Sequence, residues 1–125
     1  MKEDMIQKEK AKAIAELAFA TLDNKKGIDV TAMEVTEQTV LADYFVIATG
    51  TSNTHVRALA DEVEFKLKEE LGVEPNHIEG ASGNAWTLLD YGCVVIHVFT
   101  SQARDFYKLE RLWNGSQRIS GNEEQ

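Results

Sequence analysis

The chain has 125 residues, 43% of them apolar, and a net charge of −8. This length fits one domain that buries roughly two-thirds of its unfolded surface, a core sufficient without disulfide or metal staples. No apolar run reaches the ~18 residues of a membrane span, the single cysteine, Cys93, excludes an internal disulfide, and the acidity disfavours non-specific nucleic-acid binding.

The charge is uneven. Residues 1–26 hold six Lys against five Asp or Glu, a balance of +1, and residues 27–125 hold seven Lys or Arg against sixteen acids, a balance of −9. Such a body attracts a basic protein partner, although solubility alone also accounts for it. The N-terminus, Met1-Lys2-Glu3-Asp4, is charged and leads into a helical pattern without an apolar h-region. That argues against a signal peptide and, with the lone thiol, for a cytoplasmic protein.

Residues 5–24 read as an amphipathic helix, with Ile14, Leu17, Ala18 and Leu22 at helical spacing. Asn24-Lys25-Lys26-Gly27 stops it, and Gly27 is the expected left-handed cap. Residues 28–36 alternate weakly and are rich enough in β-branched residues to predict a strand. Residues 44–49 form a continuous apolar run, expected as a central strand buried on both faces. Gly50-Thr51-Ser52-Asn53 is a turn in which Ser52 or Asn53 caps the next helix. In that helix Val56, Leu59, Ala60, Val63, Leu67 and Leu71 share one stripe, and Gly72 ends it.

Beyond Pro75, His77-Ile78-Glu79 reads as a short strand and residues 80–84 as a loop. Strands over 86–90 and 93–99 follow, joined by a two-residue connection, Tyr91-Gly92. Residues 103–113 predict a last helix with Phe106, Leu109 and Trp113 on one face. The polar tail from Asn114 to the end is expected to be disordered. This order predicts a single α/β (α+β) domain over residues 1–113, a mixed sheet flanked by helices.

No constellation of residues commits the chain to catalysis. His55, His77 and His97 share no ligand spacing with one another or with Cys93, so no metal site is expected. Cys93 and His97, read as one face of one strand, stand about 13 Å apart at ~3.3 Å per residue, too far for a dyad. The turn Gly50-Thr51-Ser52 before a helix suits an anion, but a P-loop Lys and a Gly-x-Gly-x-x-Gly are both missing. Paired carboxylates for divalent ions are missing too, since Glu62 and Glu64 lie two apart on a helix and do not face each other. No cofactor is expected. What stands out is a set of large or polar residues near strand ends: Asp43, Tyr44, His55, Trp86, Asp90, Tyr91 and His97. A core role for His97 and a plain surface role for His55 are the simpler readings.

Three blocks resemble a known family. The stretch Ala42-Asp43-Tyr44-Phe45-Val46-Ile47-Ala48-Thr49-Gly50-Thr51-Ser52 through His55-Val56 is similar to the signature of the ribosomal silencing factors, the Iojap-related family. Glu79-Gly80, Trp86-Thr87-Leu88-Leu89-Asp90-Tyr91-Gly92 and Val94-Val95-Ile96-His97-Val98-Phe99 form the second block. The third runs from Arg104-Asp105-Phe106-Tyr107 to Trp113. The resemblance covers about residues 8–113, and Cys93 departs from it, standing where the family more often carries an acidic or polar residue.

The resemblance implies a nucleotidyltransferase-like fold without a working catalytic centre. It implies binding to the large ribosomal subunit through ribosomal protein L14, at the face that meets the small subunit. Subunit joining is then blocked and translation repressed. Assembly of the large subunit is the related role in organelles. The expected interface comprises Trp86, Leu88 and Asp90, which alternate onto one strand face, with Tyr91 at the hairpin and Arg104 and Tyr107 at the rim. In the competing placement Trp86 faces inward. Asp43, Gly50, Ser52 and His55 are expected as a vestigial anion site. An apolar sheet face awaiting a partner can also pair with a second copy as a homodimer.

Overall fold

Strand side chains that alternate between two faces build a two-sided sheet in the computed structural model, which describes residues 2–35, 42–80, 85–103 and 117–121, backbone alone at 2–8 and 117–121. Helix α1 spans Lys2–Asn24, strand β1 Ile28–Glu34, β2 Tyr44–Gly50, α2 Asn53–Leu71, β3 His77–Glu79, β4 Trp86–Asp90, β5 Val94–Thr100 and β6 Gln117–Gly121. The sheet order is β3-β4-β5-β2-β1-β6. Strands β2 and β5 run parallel at its centre, and the other neighbours pair antiparallel.

Both helices cover one face. Ala11, Ile14, Ala15, Ala18 and Leu22 of α1 and Val56, Leu59, Ala60, Val63 and Leu67 of α2 supply their apolar stripes. These meet Val30 and Ala32, Tyr44, Val46 and Ala48, Leu89, and Val94, Ile96 and Val98 from the sheet. The intervening residues point the other way, because strand side chains alternate. There Met33, Val35, Ala42, Ile47 and Phe99 form a second, smaller cluster, with Phe45, Trp86, Val95 and Ala103 half-buried around it. The central apolar run thus lies in a central strand, buried on both faces as its composition predicts.

Several details differ from the sequence-based expectations. The left-handed residue after α1 is Lys26, at φ 67°, and not Gly27. Gly27 serves by close approach instead, since a Cβ there would sit 2.8 Å from the Leu22 carbonyl oxygen. The β4–β5 connection takes three residues, Tyr91-Gly92-Cys93, closed by a Tyr91 N–H to Val94 C=O bond of 2.8 Å. Gly92 adopts φ 85° and its N–H donates to Asp90 Oδ1 at 2.7 Å, which relieves Tyr91 of any unusual geometry. Cys93 consequently precedes β5 and packs with the helix-side cluster, so it does not share a face with His97. The expected disordered tail contains a strand, β6, paired antiparallel with β1. The expected helix over 103–113 lies outside the described residues beyond Ala103.

Candidate docking face

The sequence reading of β4 as an alternating strand holds. Thr87 and Leu89 are buried toward α2, and Trp86, Leu88 and Asp90 are half-buried on the opposite face. Register then assembles their neighbours. Asp90 stands opposite Val95, which stands opposite Phe45. On the other side His77 pairs with Asp90 and Glu79 with Leu88. The result is a contiguous strip of Trp86, Leu88, Val95 and Phe45, half-buried, edged by His77, Glu79 and Asp90. Apolar side chains rimmed by charge are the usual anatomy of a protein-docking surface.

Trp86 is tied down within this strip. Its indole N–H donates to His97 Nδ1 at 3.3 Å, and its ring lies near-parallel to those of His97 and Phe99. His97 is 5% exposed, and burial lowers its pKa from 6.5 to about 4, so the ring is neutral. Sequence reading missed Phe45, Val95, His77 and Glu79 as parts of this face. The alternation was visible in each strand, but only the pairing register joins four strands into one strip.

Tyr91 does not join the strip. With a three-residue connection it continues the inward series Thr87, Leu89, Tyr91, and it is buried in the helix-side cluster. Burial, with the Glu64 carboxylate adding to it, pushes its phenol far above the usual tyrosine range. Its hydroxyl is buried without a hydrogen-bond partner among the described residues. Arg104 and Tyr107 lie outside the described residues.

The expected anion site does not come together. Gly50, Ser52 and His55 gather at the C-terminal end of β2, whereas Asp43 precedes its N-terminal end, about 23 Å away at ~3.3 Å per residue. Asp43 instead lines a cleft of ≈ 430 Å³ with Lys10, Glu74, Asn76, Tyr91 and Cys93. Burial, foremost, raises the Cys93 thiol pKa, so it stays protonated and a weak nucleophile.

The turn at Gly50 is also internally satisfied. Ser52 caps α2 by accepting the His55 N–H at 3.1 Å, and Thr51 N–H donates to His55 Nδ1 at 2.9 Å. With Nδ1 accepting, the other ring nitrogen carries the proton, and His55 Nε2–H donates to the Lys25 carbonyl at 3.2 Å. Two backbone donors that an anion would need are therefore already in use. Gly50 answers to packing, because an added Cβ would sit 2.9 Å from both Val56 Cγ2 and Val56 N. Gly50→Ala is expected to cost about 1–3 kcal/mol of stability through overpacking, measured by urea unfolding. Unchanged stability would show that this turn has room for a ligand after all. Among the described residues no three His, Cys, Asp or Glu side chains could hold a metal ion, and no helix is long and apolar enough to cross a membrane.

Comparison with known proteins shows which family the chain belongs to. A family model described as "Ribosomal silencing factor during starvation" matches residues 8–125. The ribosomal silencing factor RsfS of Chromobacterium violaceum is 41% identical over 102 residues, covering 82% of this chain and 83% of that protein. A crystal structure of a C. violaceum protein superimposes with a TM-score of 0.79 at 40% identity, covering 88% of this chain and 90% of that one. A mouse protein named "Mitochondrial assembly of ribosomal large subunit protein 1" is 30% identical, covering 82% of this chain and 46% of that protein. On its sequence and on its fold, the chain belongs to the ribosomal silencing factor family, the RsfS and Iojap-related proteins.

Proposed function

We propose that this protein docks on the large ribosomal subunit through ribosomal protein L14, and that its bound body keeps the small subunit away and represses translation. The observation that supports this most directly is the strip on β3, β4, β5 and β2, apolar at its centre and edged by Glu79 and Asp90. Trp86 is the anchor, Leu88 widens the apolar patch, and the carboxylates meet basic residues of the partner. A stable contact of this type buries on the order of 1,600 Å² in total.

The net charge of −8 serves the same purpose. It speeds encounter with a basic protein and disfavours bare nucleic acid, so the subunit is recognised through its protein. The work is binding in the cytoplasm, without a cofactor or a reaction of its own. In the absence of the subunit the same face is available to a second copy of the chain.

Pelleting tests the reading. The protein should sediment with isolated large subunits and remain in solution with small ones. Binding to small subunits, or to neither, would overturn it. A second role in large-subunit assembly is favoured by the name of the mouse relative. Subunit profiles of a deletion strain separate the two roles, since immature large-subunit precursors accumulate only if assembly is affected.

A further inference from the structure

The strip around Trp86 rests on a layer of aromatic rings. Trp86 and His97 are inclined by 17° with centroids 5.9 Å apart, yet their nitrogens approach to 3.3 Å. A nitrogen contact so much shorter than the centroid separation means that the rings meet edge to edge, not face over face. His97 and Phe99 are inclined by 12° at 6.0 Å, and Phe45 meets His97 edge-on at 5.2 Å and 63°. His97 and Phe99 are buried, while Trp86 and Phe45 reach the surface.

A histidine is an odd choice for simple packing here. Its Nε2 is buried without a hydrogen-bond partner among the described residues, an arrangement that costs stability and that a phenylalanine or leucine would avoid. What histidine supplies, and those residues lack, is a lone pair at Nδ1, and the Trp86 indole N–H points to it. A half-buried indole held only by apolar contact can turn about two side-chain torsions. A directional hydrogen bond from a buried ring selects one orientation.

We infer that His97 is a positioning residue for docking, whose Nδ1 lone pair holds the Trp86 indole in the orientation that a partner protein meets. This rests on the reading of the Trp86 face as the docking surface. His97 itself touches no partner and acts through Trp86. Pre-orienting the anchor removes part of the ordering cost of association. The role requires a neutral ring, which burial favours, with its proton on Nε2 so that Nδ1 is free to accept.

The first test needs no variant. Nitrogen chemical shifts of the His97 ring in the free protein should show a bare Nδ1 and a protonated Nε2. A proton on Nδ1 would overturn the assignment outright. The second test follows the Trp86 indole N–H signal and large-subunit affinity in His97→Phe and His97→Gln. Phenylalanine should move the indole signal upfield, speed its solvent exchange and raise Kd about fivefold. Glutamine, which keeps an acceptor, should recover part of the loss.

In a Trp86→Phe background, His97→Phe should change Kd no further, because the two residues act as one unit. An equal effect in both backgrounds would assign His97 a purely structural role. Trp86→Phe binding at wild-type affinity would instead sink the docking reading itself. An unchanged indole signal in folded His97→Phe, with Trp86 still needed for binding, would sink the positioning role alone.

Discussion

Trp86→Ala is expected to weaken binding to the large subunit by more than ~2 kcal/mol, at least thirtyfold in Kd. Trp86 is half-buried at one end of the apolar strip, two residues from Leu88 and with Phe99 paired to it on β5. Large aromatic anchors in such surroundings dominate binding free energies because water is excluded around them. Truncation also removes the indole donor to His97 and opens a gap beside Phe99. Some stability is therefore lost as well, and the variant must be shown to be folded by circular dichroism before Kd is read. A folded Trp86→Ala protein with wild-type affinity would exclude Trp86 as the anchor. Leu88→Ala, on the same face two residues along, should weaken binding less, since it removes a smaller side chain from the same patch.

Acid should destabilise the protein, and His97 should carry a measurable part of the effect. Its folded pKa is about 4 against 6.5 when exposed. Between these values the unfolded chain binds the proton and the folded chain does not. Stability from this site is therefore complete above about pH 6.5, falls as pH drops, and is fully lost below about pH 4. The full span amounts to about 3 kcal/mol, and about 2 kcal/mol of it lies between pH 7 and pH 5. Carboxylates contribute their own slopes, so the test is a difference. Urea unfolding at pH 7, 6 and 5 should show wild type losing stability relative to His97→Phe as the pH falls, by about 2 kcal/mol over the whole range. Parallel curves would mean that His97 takes up its proton in the folded state without penalty.

These two residues also mark where sequence reading succeeds and where it stops. The central strand was legible as a continuous apolar run, and the α2 stripe because burial repeats at the helical period, with Ser52 and Gly72 bounding the helix as their chemistry predicts. The face of Trp86, Leu88 and Asp90 was legible for the same reason. The strip they belong to was not, because Phe45 reaches it only through the parallel pairing of β2 with β5, far apart in sequence.

Tyr91 was misplaced by one residue of loop length. A three-residue connection leaves it on the inward series, and only the left-handed Gly92 makes that connection possible. Strand β6 was invisible for another reason. Gln117-Arg118-Ile119-Ser120-Gly121 has a single large apolar residue, and an edge strand is defined by its partner, here β1, more than by its own pattern. Asp43 and Gly50 stand at opposite ends of β2, and a strand keeps its two ends apart.

The central claim is that occupation of the large subunit prevents joining, and a sucrose-gradient profile tests it most directly. Isolated large subunits would be preincubated with the protein, then mixed with small subunits at a magnesium concentration that favours joining. The account predicts that joined ribosomes decline as the protein is added, that free subunits rise in step, and that the protein comigrates only with the large subunit. An undiminished peak of joined ribosomes, with the protein bound to the large subunits within it, would contradict the account.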